Sequence, residues 1–132
     1  MFLKDRNCLS YLDISECRLT PKEVGALFKC LHLYRLPSPL QDMNISLNRI
    51  DLSAVQSISA YLAASRICRL RSLDLSSSNI GTNGAALLAM ALITNKTLMH
   101  LKLSSCAIGD SGAQSLASSL QTQQGDNWGV TD

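Results

Sequence analysis

One pattern recurs four times along this chain of 132 residues and constrains its fold more than anything else. It has the form LxxLxLxx(N/C/S)xL. The copies are Leu9, Leu12, Ile14, Cys17, Leu19; then Leu40, Met43, Ile45, Asn48, Ile50; then Leu70, Leu73, Leu75, Ser78, Ile80; then Leu98, Leu101, Leu103, Cys106, Ile108. Their first residues, 9, 40, 70 and 98, stand 31, 30 and 28 residues apart. Self-similarity at such a period marks a stack of like units, none of which can bury its own apolar face.

Each unit has two halves with different periods. In the motif, apolar and polar residues alternate, which is the signature of a short strand. Beyond it, apolar side chains fall at Val24, Leu27, Leu31; Val55, Ile58, Leu62; Ala85, Leu88, Leu92; and Ala113, Leu116, Leu120. Spacings of three and four are one stripe of an amphipathic helix. Each unit therefore reads strand, turn, helix. Thr20-Pro21 opens the first helix with a capping residue and a proline. Ser53, Thr82 or Asn83, and Asp110 or Ser111 stand where the other helices are expected to start. Pro37, Ser38 and Pro39 end the first helix. Gly81, Gly84, Gly109 and Gly112 suit tight strand-to-helix turns.

The expected architecture is α/β. Parallel strands line the inner, concave face of a right-handed horseshoe segment, and helices take the convex face. Its repeats run 9–39, 40–69, 70–97 and 98–120. Residues 1–8 align with the last helical turn of a truncated preceding repeat. Residues 121–132 are polar, fit no fifth repeat and are expected to be disordered. Neither end carries a clear cap, so the chain reads as a fragment or isoform of a longer array. Uncapped ends expose core, which favours marginal stability or self-association.

The stretches LRSLDLSSSNIGTNGAALLAMAL (70–92) and LMHLKLSSCAIGDSGAQSLASSL (98–120) closely resemble the ribonuclease-inhibitor-like class of leucine-rich repeats. The resemblance extends over about residues 9–120, with spacings at or above the upper end of the usual range of about 20–29. It implies a leucine-rich-repeat solenoid. Members of the class include inhibitors, sensor ends of innate-immune receptors, GTPase-activating proteins for Ran and capping-protein-linker-type actin regulators. DMNISLNRIDL (42–52) resembles the actin regulators. The implied function is a protein–protein interaction module within a cytoplasmic regulator or scaffold. The alternative is a regulator of an enzyme or of the actin cytoskeleton.

Within each strand the motif residues point inward, and those between them face the concave surface. Three columns result: Tyr11, Asp42, Ser72, His100; Asp13, Asn44, Asp74, Lys102; and Ser15, Ser46, Ser76, Ser104. Glu16, Leu47, Ser77 and Ser105 follow. The candidate protein-binding residues are Tyr11, Asp13, Glu16, Asp42, Asn44, Asp74, His100 and Lys102. Tyr11, His100 and Lys102 are the expected anchors, because aromatic and charged groups dominate many interfaces. The same surface also reads simply as a solvated face.

Other chemistry finds little support. A net charge of +2 is too small to imply nucleic acid or an anionic membrane as a partner. No apolar run is long enough to span a bilayer, and Met1 to Ser10 lacks the apolar core of a secretory signal. Cysteines at 8, 17, 30, 68 and 106 form no CxxC pair, which fits a reduced intracellular setting without zinc. Cys17 and Cys106 read as buried ladder residues, and Cys8, Cys30 and Cys68 as partly exposed helix-end residues. His32 and His100 are the only histidines. His100 and Asp74 fall on adjacent strands but in no cleft, so catalysis is not expected, nor is a cofactor. Arg66, Arg69 and Arg71 sit between the second helix and third strand, either as solvated punctuation or as a site for an acidic partner or phosphate. Asn44-Ile45-Ser46 and Asn95-Lys96-Thr97 match the glycosylation triplet, read here as chance.

Overall fold

The computed structural model describes residues 10–33, 39–64, 66–122 and 129–131. The truncated preceding repeat expected at 1–8, together with Cys8 and Leu9, lies outside the described residues. Strands and helices alternate: β1 (Tyr11–Asp13), α1 (Pro21–Leu33), β2 (Asp42–Asn44), α2 (Leu52–Ala63), β3 (Ser72–Asp74), α3 (Gly81–Thr94), β4 (His100–Lys102), α4 (Gly109–Thr122) and β5 (Gly129–Thr131). The strands pair in parallel in the order β1-β2-β3-β4-β5. Neighbouring strands pack about 5 Å apart and neighbouring helices about 8–10 Å, so the sheet is the short, inner side of the stack.

The motif residues make one continuous core. Met43, Ile45, Leu70, Leu73, Leu75, Leu101 and Leu103 of the strand halves meet Val24, Val55, Ile58, Leu62, Leu88 and Leu92 of the helices. Phe28 packs edge-on against Tyr61, with ring centroids 5.7 Å apart. Among the described residues, aromatic packing of this kind is confined to the first two helices, and aliphatic side chains fill the rest.

The turns are tied across repeats by backbone bonds and by the ladder position. Asn48 Nδ2 donates back to Ile14 O at 2.9 Å and to Ile45 O at 3.1 Å. Its Oδ1 accepts from the amides of Cys17 at 3.1 Å and Leu19 at 3.0 Å. Cys106 Sγ reaches Leu75 O of the preceding repeat at 3.1 Å. Ser78, shorter, donates only a long 3.5 Å bond to Ser76 O in its own turn. Cys106 is buried, but Cys17 is exposed, contrary to its reading as a buried ladder residue. Its thiol bonds Ser15 O within its own turn at 3.4 Å. Cys68 departs in the opposite direction. It is buried, receiving Asn95 Nδ2 at 3.9 Å, while Cys30 is exposed.

Helix starts refine the expected caps. Thr20 and Glu23 form a reciprocal box: the Thr20 amide donates to Glu23 Oε1 at 2.9 Å, and the Glu23 amide donates to Thr20 Oγ1 at 3.3 Å. The second helix is capped by Asp51 rather than Ser53. The Asp51 carboxylate accepts from the Ala54 amide, and Ser53 Oγ supports it. The third and fourth helices begin at glycines, ahead of Thr82 and Asp110, because Gly81 and Gly109 turn the chain at φ +73° and +69°. Gly84 serves packing rather than a turn. A Cβ there would come within 2.8 Å of Ile80 Cγ2 and 3.5 Å of Val55 Cγ2.

The C-terminal segment corrects a further expectation. Gln121 and Thr122 continue α4, and Gly129–Thr131 adds a fifth strand in register with β4, His100 opposite Gly129 and Lys102 opposite Thr131. Parallel pairing is made by backbone groups, so it does not require the leucine pattern. It also satisfies the edge of β4 that four repeats alone would leave open.

Truncating Leu73 to Ala should cost about 2–5 kcal/mol, the range for a buried leucine. Asn48→Ala should cost about 1–3 kcal/mol by orphaning buried backbone groups. Leu47→Ala, at a side chain 52% exposed, should stay within about 0.5 kcal/mol. Urea unfolding followed by circular dichroism gives all three.

Candidate functional site

The register of the sheet brings the predicted surface residues together. Tyr11, Asp42, Ser72 and His100 lie opposite one another across β1 to β4, as do Asp13, Asn44, Asp74 and Lys102. Six of the eight candidates, Tyr11, Asp42, Asn44, Asp74, His100 and Lys102, line one shallow depression of about 300 Å³. Asp13 stands beside Tyr11 on β1. Glu16 is not part of the depression. It lies in the following turn at φ +52°, and Leu47, Ser77 and Ser105 hold the same left-handed position in their repeats.

The central column has a second role beyond the surface reading. Asp13 Oδ1 accepts from the Ser15 amide at 3.0 Å and from its hydroxyl at 2.6 Å. Asn44 repeats this with Ser46, at 3.0 and 2.7 Å, and Asp74 accepts from the Ser76 amide at 2.9 Å. These are Asx turns that close each strand. The signal was present as D/N-x-S in three consecutive repeats. The fourth repeat breaks it, since Lys102 has no acceptor. There the Ser104 amide donates instead to Ser76 Oγ of the previous repeat at 3.2 Å.

This bonding fixes charge at the β1 end. The Ser15 hydroxyl and amide hold the Asp13 carboxyl below its ordinary pKa, so it is ionised at neutral pH. The Asp13 charge beside it pushes the Tyr11 hydroxyl up, and that hydroxyl donates to Asp13 Oδ2 at 3.3 Å. Tyr11 is 58% exposed, with its hydroxyl tethered and its ring presented to solvent. The surface thus runs from Asp13 and Asp42 at one end to His100 and Lys102 at the other.

Several sequence features take no part in it. Asn95 is 1% exposed; its Nδ2 donates to Leu62 O at 2.8 Å and its Oδ1 accepts from Leu98 N at 2.7 Å. The triplet there is a structural link between repeats. Asn44 is half-buried, with its Oδ1 engaged by Ser46. Among the described residues, no group of three or more His, Cys, Asp or Glu is placed to hold a metal ion. No described helix is long and apolar enough to cross a membrane. A groove missed by sequence reasoning, about 880 Å³, opens between α1 and α2 on the helical side. Small side chains at Ala26, Ser57 and Ala60 leave it unfilled, and Lys22 and Lys29 stand along it.

Parallel strands in lateral register, helices on one side and an Asn/Cys ladder between turns decide the architecture. The fold is a leucine-rich-repeat solenoid. A family described as Leucine Rich repeat matches residues 68–89 and 94–117, two adjacent repeats of this solenoid. Among solved structures, the solenoid is similar to one titled Leiomodin-1 Actin-Binding Site 2, with a TM-score of 0.78 and 18% identity. The match covers 99% of this chain and 76% of that one. At that identity the likeness speaks for the fold. No curated protein matches the sequence.

The thiols should sort by burial. Desolvation pushes both the Cys68 and Cys106 thiols up, which disfavours the reactive thiolate. Brief iodoacetamide treatment of the native protein, followed by peptide mapping, should label Cys17 and Cys30 and spare Cys68 and Cys106 until urea unfolds the solenoid.

Proposed function

We propose that this leucine-rich-repeat solenoid is a protein-binding module that holds its partner on the concave sheet, as part of a cytoplasmic regulator or scaffold of the ribonuclease-inhibitor-like class. The observation that carries this reading is the register-locked surface itself. Six candidate side chains from four strands border one shallow depression, with an exposed tyrosine ring at its edge. Such a surface suits a protein rather than a small molecule, because it is broad and open and encloses too little to desolvate a ligand. Tyr11, His100 and Lys102 are the energetic anchors, and Asp13, Asp42, Asn44 and Asp74 set polarity and register. Glu16, one turn away, contributes at the rim.

The likeness to the leiomodin-1 actin-binding site favours a second reading, in which the partner is actin. The two structures share a fold across nearly the whole of this chain. The resemblance of residues 42–52 to actin regulators points the same way. An enzyme-regulating role, such as stimulating a small GTPase, remains a reading of the class alone.

Cytosolic pull-down with the wild-type chain and with Tyr11→Ala/Lys102→Glu separates these ideas. The concave variant should lose the retained partner by about tenfold or more, the scale of removing two anchors. Gln56→Glu on the helical side should not. Equal retention by all three proteins would remove the concave reading. Co-sedimentation with purified filamentous actin, and binding to monomeric actin, test the second reading directly.

A further inference from the structure

We propose that Arg66, Arg69 and Arg71 form a docking edge for an acidic segment of a partner protein, separate from the concave depression. The three guanidinium-bearing residues alternate with inward ones. Arg66, Arg69 and Arg71 are exposed, whereas Cys68 and Leu70 are buried and Ile67 packs against the core. Burial of the intervening residues holds the arginines outward. The backbone that carries them is fixed at several points. Ile67 and Cys68 amides donate to Ala64 O at 2.9 Å, and the Arg71 amide donates to Gln41 O at 2.7 Å. The Arg71 carbonyl in turn accepts from Met99 at 2.7 Å and His100 at 2.9 Å.

Charge is segregated between the two edges of the solenoid. Where helices return to strands, the described connecting residues carry Arg66, Arg69, Arg71 and Lys96, with no Asp or Glu among them. Where strands lead into helices, Arg18 and Arg49 are interspersed with Glu16 and Asp51. Arg66, Arg69 and Arg71 therefore share their own described connecting segment with no Asp or Glu, and the complementary occupant is anionic. Helix C-terminal dipoles at this edge attract cations weakly and account for one arginine near the end of α2 more readily than for three.

The chemistry favours carboxylates spaced along a chain over a phosphate. A phosphate site is built from convergent backbone amides. Here the Ile67, Cys68 and Arg71 amides are spent on carbonyls. The exposed side chains of this edge offer guanidinium forks, each of which matches one carboxylate in bidentate fashion. Arg71 leads directly into Ser72, between Asp42 and His100 of the sheet. A partner lying on the concave face can therefore extend an acidic segment onto this edge.

The test is fluorescence anisotropy of a labelled oligoglutamate peptide titrated with the full chain. Binding should weaken about tenfold or more in R66E/R69E/R71E, and by about twofold in the charge-matched control R18E/K22E/R49E on the opposite edge. If the triple variant fails to fold, Arg66→Gln, Arg69→Gln and Arg71→Gln taken singly should each weaken binding by about two- to threefold. Equal weakening in the control would reduce the effect to net charge and overturn the proposal. So would unchanged affinity in the triple variant accompanied by a lower melting temperature, which would leave the arginines serving the end of α2. Displacement of the peptide by inorganic phosphate at constant ionic strength, or binding to phosphatidylserine vesicles but not to the peptide, would also overturn it.

Discussion

Lateral contact between repeats is the constraint on which everything else in this molecule depends. The described strands are three residues long, and isolated parallel pairs of that length do not persist in water. Each is held because its neighbour supplies backbone partners on one side and apolar cover beneath. Leu73 is buried by the repeats before and after it, and Asn48 spends both ends of its amide bonding the turn behind. Stability in such a stack is a sum of neighbour terms rather than the property of one central core. The quality of each ladder residue therefore sets the local strength of the stack. Asn48 ties the turns of the first two repeats, whereas Ser78 makes no such bond to the turn behind it, and at that junction the side-chain link is made at the other edge, by Asn95 to Leu62 O.

The surface follows from the same register. Because Tyr11, Asp42, Ser72 and His100 must lie in line for the leucines beneath them to meet, the outward side chains need no separate device to be brought together. The Asx bonds of Asp13, Asn44 and Asp74 show that these side chains also serve the fold. A carboxylate whose Oδ1 closes a turn is pre-oriented, so a partner meeting it pays little to order it. Lys102 is released from this duty by the Ser76–Ser104 bond. That exchange lets the fourth repeat carry a cation at a position where the earlier three need an acceptor.

The repeating core was readable in the sequence because burial imposes a period, and a period survives any single irregular residue. Leu12, Met43, Leu73 and Leu101 sit on the strands as the motif required, and so do the columns between them. What escaped was set by tertiary context. Cys17 and Cys106 occupy the same motif position but differ in exposure, and Cys106 is the one whose thiol reaches a carbonyl of the repeat behind it, Leu75 O. Cys68 is buried because Asn95 of the next repeat closes over it, and no local pattern announces a contact across 27 residues. Asp51 rather than Ser53 caps α2 because a carboxylate two residues earlier both takes the Ala54 amide and is braced by the serine. Strand β5 was missed because backbone pairing leaves no hydrophobic period to detect.

Two unlike surfaces on one rigid frame carry a consequence for recognition. The depression between Tyr11 and Lys102 is mixed in charge and shallow, so it contributes fit and desolvation but limited long-range attraction. The edge at Arg66, Arg69 and Arg71 is exposed and of one sign, so it contributes attraction at distance but little buried area. Neither is by itself a strong interface, since exposed ion pairs are individually weak and a depression of about 300 Å³ holds only a few side chains. Arg71 leads directly into Ser72 of β3, so under the two proposals both surfaces would meet one partner without a flexible linker between them, and the effective concentration of the second contact would be set by the scaffold. On the proposed reading, specificity would depend on a partner whose acidic segment and docking face are spaced to match the step from the sheet to its edge.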